Sequence, residues 1–150
     1  MTIIAWDGKT LAADRRATHC SYKGSSVTKI HTWEGGLCGF AGDMDTAVTL
    51  LAWLRAGAVP NEFPQIQCED PSTLLVIYAD GRVAEYGRTP FPMFLEGPFH
   101  AVGSGKSYAL AALHLGKSAK QAVEVACALD AYCGNGIDTL TLKGARRCRT

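Results

Sequence analysis

What the 150-residue chain lacks argues against several functions. No apolar run nears the ~20 residues of a membrane-crossing helix; runs such as Leu74 to Ala79 read as buried strand. No basic-then-apolar signal segment follows Met1, so the expectation is a cytoplasmic protein with no membrane partner. Lys and Arg (15) almost balance Asp and Glu (14), and no long basic run supplies the footprint of a nucleic-acid binder. Six cysteines, Cys20, Cys38, Cys68, Cys127, Cys133 and Cys148, form no C-x-x-C pair and lie near no paired histidines, which supports neither a zinc site nor a thioredoxin motif. Their even number leaves a disulfide framework open, but the hydrophobic content of 47% makes buried, unpaired thiols the expectation.

What is present is the material for one domain. A chain of this length buries roughly two thirds of its unfolded surface when it folds as a unit. Thr2 to Trp6 and Thr10 to Ala13 flank Asp7-Gly8, a hairpin signal, and Ser26 to Trp33 leads through Gly35-Gly36 into Leu37 to Ala41. From Asp43 the period turns helical, with Ala47, Val48, Leu51 and Leu54 on one face and Gly57 and Pro60 beyond the end. A connection with Pro60, Pro64 and Pro71 reaches a strand at Thr73 to Ala79, whose Asp80-Gly81 turn returns through Arg82 to Tyr86.

Further on, Phe99 to Val102 runs into Gly103-Ser104-Gly105 and a helix through Leu110 and Leu113, ended by Gly116. Ser118 with Gln121 predicts a capping box for a third helix, whose stripe is Ala122, Val125, Ala126 and Leu129; Ile137 to Leu142 closes as a strand. There is no internal repeat. The order of elements suits two packed sheets flanked by helices.

The opening stretch from Thr2 to Thr18, with Leu11-Ala12-Ala13-Asp14 after the hairpin, resembles the N-terminus of proteasome β subunits and HslV. The resemblance continues at Lys29, at Gly39-Phe40-Ala41-Gly42 before the first helix, at Gly103-Ser104-Gly105 before the second, and at Ala128-Leu129 leading into Asp130-Ala131-Tyr132-Cys133-Gly134. It implies an α+β fold, the four-layer αββα Ntn-hydrolase sandwich, over residues 1–150. It also implies a threonine endopeptidase assembled as a homo-oligomeric ring, with polypeptide as substrate, an AAA+ unfoldase as a candidate partner, and no metal or organic cofactor.

The same resemblance assigns Thr2 as nucleophile, Asp14 and Lys29 as its charged neighbours, the Gly42 amide as oxyanion donor, and Ser104 and Asp130 as supports of the amine. The chemistry is consistent with those residue types. A threonine hydroxyl is a weak nucleophile, and a free α-amine titrating near pH 8 can be its base. A neighbouring ammonium disfavours a second positive charge on that amine, and a carboxylate holds the ammonium in place. Threonine is small enough for removal of Met1 to be expected. Thr2 and Asp14 are an even number of residues apart, so they share a strand face only across an odd-length turn, and such a turn with Gly8 left-handed is the expectation.

Four features depart from the family: the hairpin is shorter, no room remains for the second long helix that usually follows the first, Asp43 stands where small residues are frequent, and Cys133 stands where serine is frequent. Two alternatives stay open. Gly105-Lys106-Ser107 after a strand offers a partial phosphate-binding loop, although His100 stands where glycine is required. The fold could also serve as a catalytically silent ring subunit.

Overall fold

The computed structural model describes residues 2–18, 25–67, 69 and 72–144; Met1, Cys20, Cys68, Pro71 and Cys148 lie outside the described residues. The chain runs β1 (Ile3–Trp6), β2 (Thr10–Asp14), β3 (Ile30–Trp33), β4 (Gly36–Ala41), α1 (Met44–Arg55), β5 (Thr73–Tyr78), β6 (Val83–Tyr86), β7 (Met93–Leu95), β8 (His100–Gly103), α2 (Lys106–His114), α3 (Ala119–Leu129) and β9 (Ile137–Thr141). Two antiparallel sheets result, ordered β8-β1-β2-β9 and β3-β4-β5-β6-β7.

The first hairpin corrects the expected parity. Trp6 pairs with Leu11, and the Asp7 N–H reaches the Thr10 carbonyl at 3.3 Å, so the loop is the even-length pair Gly8-Lys9. Gly8 does adopt a positive φ of 90°. The short loop is selected by Asp7, whose Oδ1 accepts from the N–H groups of Lys9 (3.0 Å) and Thr10 (2.8 Å), the self-bonding that favours Asp in turns. Its Oδ2 accepts the Ala119 N–H at 2.8 Å and anchors the start of α3 to the hairpin.

Strand alternation sorts side chains into separate clusters. Ile4, Trp6, Leu11 and Ala13 of the first sheet meet Ile30, Leu37, Leu75, Ile77 and Val83 of the second. Ile3, Ala5 and Ala12 point the other way, onto Ala109, Leu113, Ala122, Val123 and Ala126 of α2 and α3. The outer face of the second sheet supplies Cys38, Phe40, Leu74 and Val76 to Leu50, Leu51 and Leu54 of α1. Each fully buried Ile or Leu contributes on the order of 1.5–3 kcal/mol relative to exposure. Alanines on α3 bring the helix close to the sheet.

The helical stripes shift slightly from the expectation. In α1 the buried face includes Leu50 while Val48 is exposed; in α3 it includes Ala119 and Val123 while Val125 and Leu129 face outward. Both helices begin as their sequences predict. The Asp43 side chain caps α1, and both bonds of the Ser118–Gln121 capping box are present. Beyond α1 a 3-10 turn at Pro60–Glu62 leads on toward β5, and the described residues there hold no second α-helix. Trp53 fills part of that side, edge-on to Phe63 at 4.9 Å and to Tyr86 at 5.3 Å, with its Nε1 donating to the Val59 carbonyl. The short edge strand β7 had no clear period-2 signal and was not expected.

Candidate active site

The β1–β2 ladder ends at Ile4–Ala13. One position further, the Asp14 side chain takes the place of a strand partner: Oδ1 accepts the Ile3 N–H at 3.0 Å. Thr2 precedes β1 and is not bound by its alternation, so its Oγ1 donates to the same Oδ1 at 2.6 Å despite the even-length turn. Lys29, just before β3, brings Nζ to that oxygen at 2.7 Å and donates also to the Arg16 carbonyl at 2.7 Å. The Lys29 carbonyl accepts the Phe40 N–H, which fixes its backbone against β4.

Asp14 Oδ2 is likewise engaged, by the N–H groups of Arg16 (3.2 Å) and Gly134 (3.0 Å). The carboxylate therefore receives five donors while being wholly buried, and Thr2 and Lys29 are each only 3% exposed. Burial lowers the Lys29 pKa, and the attraction and hydrogen bond of Asp14 offset that only in part. An ammonium with a weakened hold on its proton thus shares one acceptor oxygen with the Thr2 hydroxyl.

The Thr2 backbone is held from the other side. Its carbonyl accepts from Ser104 Oγ at 3.3 Å and from the Gly105 N–H at 3.3 Å. Gly103, paired with Ile3, has a φ of 106°, and a Cβ there would stand 2.1 Å from the Thr2 oxygen. Only glycine permits this approach. The phosphate-loop alternative fails on the backbone: His100 to Gly103, which such a loop would use ahead of Gly105-Lys106-Ser107, are strand β8 paired with β1.

Asp130 caps the C-terminal end of α3, and its carboxylate accepts the Tyr132 N–H at 2.9 Å and the Cys133 thiol at 3.5 Å. Burial alone would raise its pKa, but the hydrogen bonds of Tyr132, Ser104 and Cys133 outweigh burial and lower it. Cys133 is pushed up to about 12 by burial and by the neighbouring Asp14 and Asp130. It is a neutral donor at physiological pH, in the position where serine is frequent in the resembled family, with Ser104 Oγ at 4.0 Å. Cys38, Cys127 and Cys133 are all free thiols.

Gly42 follows β4 with a φ of 120° and lines a cleft of about 360 Å³ together with Thr2, Arg16, Lys29, Phe40 and Met44. Asp43, at the same wall, is engaged as the α1 cap: it accepts the Thr46 N–H at 2.8 Å, which holds its carboxyl below the usual range. Thr2, Asp14 and Lys29 thus form one hydrogen-bonded group, Ser104 touches the Thr2 carbonyl with Asp130 behind it, and Gly42 is part of the cleft wall. Among the described residues no cluster of His, Cys, Asp and Glu could hold a metal ion. No helix there is long and apolar enough to cross a membrane. Two contributors escaped the sequence reading. Gly134 and Arg16 meet Asp14 only through backbone N–H groups, which leave no side-chain signature.

No family model and no curated protein matches the sequence. Solved structures do match. BPH from Thiobacillus denitrificans in complex with epoxomicin superposes with a TM-score of 0.69 at 16% identity, over 94% of this chain and 97% of that one. HslV from Trypanosoma brucei gives 0.67 at 20% identity, over 93% and 97%. A second structure of the Thiobacillus protein gives 0.67 at 17% identity, over 95% and 98%. The chain has the fold of these proteins over nearly its whole length; at such identities the likeness is one of fold.

Proposed function

We propose that this chain is a threonine endopeptidase of the Ntn-hydrolase type, a single αββα domain that cleaves polypeptides through an acyl-enzyme on Thr2. The observation that carries the reading is the buried Thr2–Asp14–Lys29 group, in which one carboxylate oxygen accepts both the hydroxyl and the ammonium at the wall of a cleft. The three clusters of apolar side chains support the four-layer arrangement. The fold shared with HslV supports assembly into a homo-oligomeric ring, with an AAA+ unfoldase as its partner.

The steps follow from the residues. After removal of Met1, the Thr2 amine takes the hydroxyl proton as Oγ1 attacks the peptide carbonyl. Lys29, positive and held by Asp14, keeps that amine neutral and favours the developing alkoxide. The Gly42 N–H stabilises the oxyanion, a contribution of about 3–4 kcal/mol where such donors have been removed. Collapse breaks the C–N bond, the Thr2 α-ammonium gives the proton it took to the leaving amine, and water then hydrolyses the Thr2 ester with the same α-amine as base. Asp130 and Ser104 orient the Thr2 backbone from behind.

Intact-mass spectrometry of protein made in cells, before and after a peptide epoxyketone or β-lactone, tests this reading. Loss of Met1 and one adduct on Thr2 are expected. Retained Met1 with no adduct would move the assignment to a catalytically silent ring subunit.

A further inference from the structure

The Arg16 side chain has none of the roles assigned above, yet its backbone is part of the site. Its N–H donates to Asp14 Oδ2, and its carbonyl accepts from Lys29 Nζ. Its guanidinium crosses to the loop after α3, donating from Nη1 to the Ala131 carbonyl at 2.7 Å and from Nε to Asn135 Oδ1 at 3.3 Å. Gly134 lies directly beneath it: a Cβ there would stand 2.6 Å from Nη2. That close approach lets the Gly134 N–H reach Asp14.

We infer that Arg16 is a positioning residue that straps the Asp130–Asn135 loop to the end of β2, setting the geometry of Asp14 and Lys29 around Thr2; this rests on the peptidase reading. The Arg15 N–H already holds the Gly134 and Gly136 carbonyls at 2.9 and 3.1 Å, and the strap adds the side-chain tie that orients the Gly134 N–H; without it, that N–H drifts from Asp14 Oδ2. With one of its two Oδ2 donors lost, the carboxylate can turn, and its other oxygen then holds the hydroxyl and the ammonium less well placed. A lysine cannot substitute, because it lacks the planar fork that reaches two acceptors at once. The neighbouring Arg15 is a built-in control: its Nε faces Asp138 at 3.5 Å on the half-exposed side of the sheet.

The test compares Arg16→Ala, Arg16→Lys and Arg15→Ala by hydrolysis of a fluorogenic peptide, with Gly134 amide hydrogen exchange as a second readout. Arg16→Ala is expected to lower kcat by about 10- to 100-fold with little change in KM, as misplacement of catalytic groups does. Guanidinium, added far below unfolding concentrations, should recover part of that kcat in Arg16→Ala. Arg16→Lys should remain impaired, and Arg15→Ala should match the parent. The Gly134 amide should exchange faster in Arg16→Ala and slow again with guanidinium.

An unchanged kcat, a loss confined to KM, or a loss that guanidinium does not relieve overturns the inference; the KM result would make Arg16 a substrate contact in the cleft it lines. A parent protein inert toward both peptide and epoxyketone refutes the peptidase reading instead. The strap is then decided by Gly134 exchange alone, and exchange unchanged in Arg16→Ala refutes it.

Discussion

Replacing Asp14 by Asn should be among the most damaging single changes available to this chain, and it should carry a pH signature. Asparagine keeps the shape but turns one acceptor atom into a donor, in a place where both oxygens already face donors. It also leaves the Lys29 ammonium, 4% exposed at its side chain, without its counter-charge. Removing one partner of a buried pair typically costs about 3–5 kcal/mol, a large part of a net stability of about 5–15 kcal/mol. Lys29 would respond by losing its proton. Its folded pKa already lies below the ordinary 10.5 because of burial, and Asp14 supplies the main opposing influences, so it falls further in the variant.

Between that folded pKa and 10.5 the unfolded chain binds the proton and the folded chain does not, so stability rises with pH, with a limiting slope of about 1.4 kcal/mol per pH unit. Urea unfolding of parent and variant across a pH series, at one fixed protein concentration so that any assembly equilibrium is matched, should show the deficit shrinking toward alkaline pH. Adding Lys29→Met to Asp14→Asn should restore part of the loss, since removing both charges is far cheaper than orphaning one. A variant within about 1 kcal/mol of the parent at neutral pH, or one whose deficit is flat with pH, would refute the buried-pair argument.

Two further outcomes are expected. Gly103→Ala meets both a positive φ and a clash 2.1 Å from the Thr2 carbonyl, so it should destabilise by more than the ~1 kcal/mol of an ordinary strained glycine site and abolish Thr2 labelling, measured by melting temperature and intact mass. With its pKa near 12, Cys133 should stay unalkylated by iodoacetamide at neutral pH in the native protein; peptide mapping that finds it modified before unfolding would contradict the buried, protonated thiol.

Much of the architecture could be read from local signals. The capping box at Ser118, the Asp43 cap, the Asp7-Gly8 hairpin and the strand at Thr73 all stand close to where residue chemistry put them. Val48, Val125 and Leu129 were misassigned because a 3.6-residue period leaves the edges of an apolar stripe ambiguous, and tertiary packing chose the alanine-lined face of α3. The turn parity failed for a different reason. Alternation is a property of a continuous ladder, and Thr2 stands just outside one.

The six nominated site residues came from resemblance, and the fold draws Thr2, Asp14 and Lys29 into mutual hydrogen bonding. Gly103 and Gly134 stood within the resembled motifs but with no role of their own, and Arg16 carried no signal. Arg16 and Gly134 meet Asp14 through backbone N–H groups, and both glycines leave room for a close neighbour, which residue types alone do not locate.

The cradle of the Thr2 carbonyl has a kinetic consequence. Residue 2 is held by residues 104 and 105, and the carboxylate beside it by residue 134, so segments more than a hundred residues apart must meet before the hydroxyl has its setting. Such closures are among the slowest to form, because the entropy of joining distant segments is lost before their contacts return anything. A nascent or half-folded chain carries a threonine near its start but no organised neighbourhood for it. Folding itself therefore acts as the safety catch: the proposed nucleophile has no organised neighbourhood until residue 134 has joined residue 14.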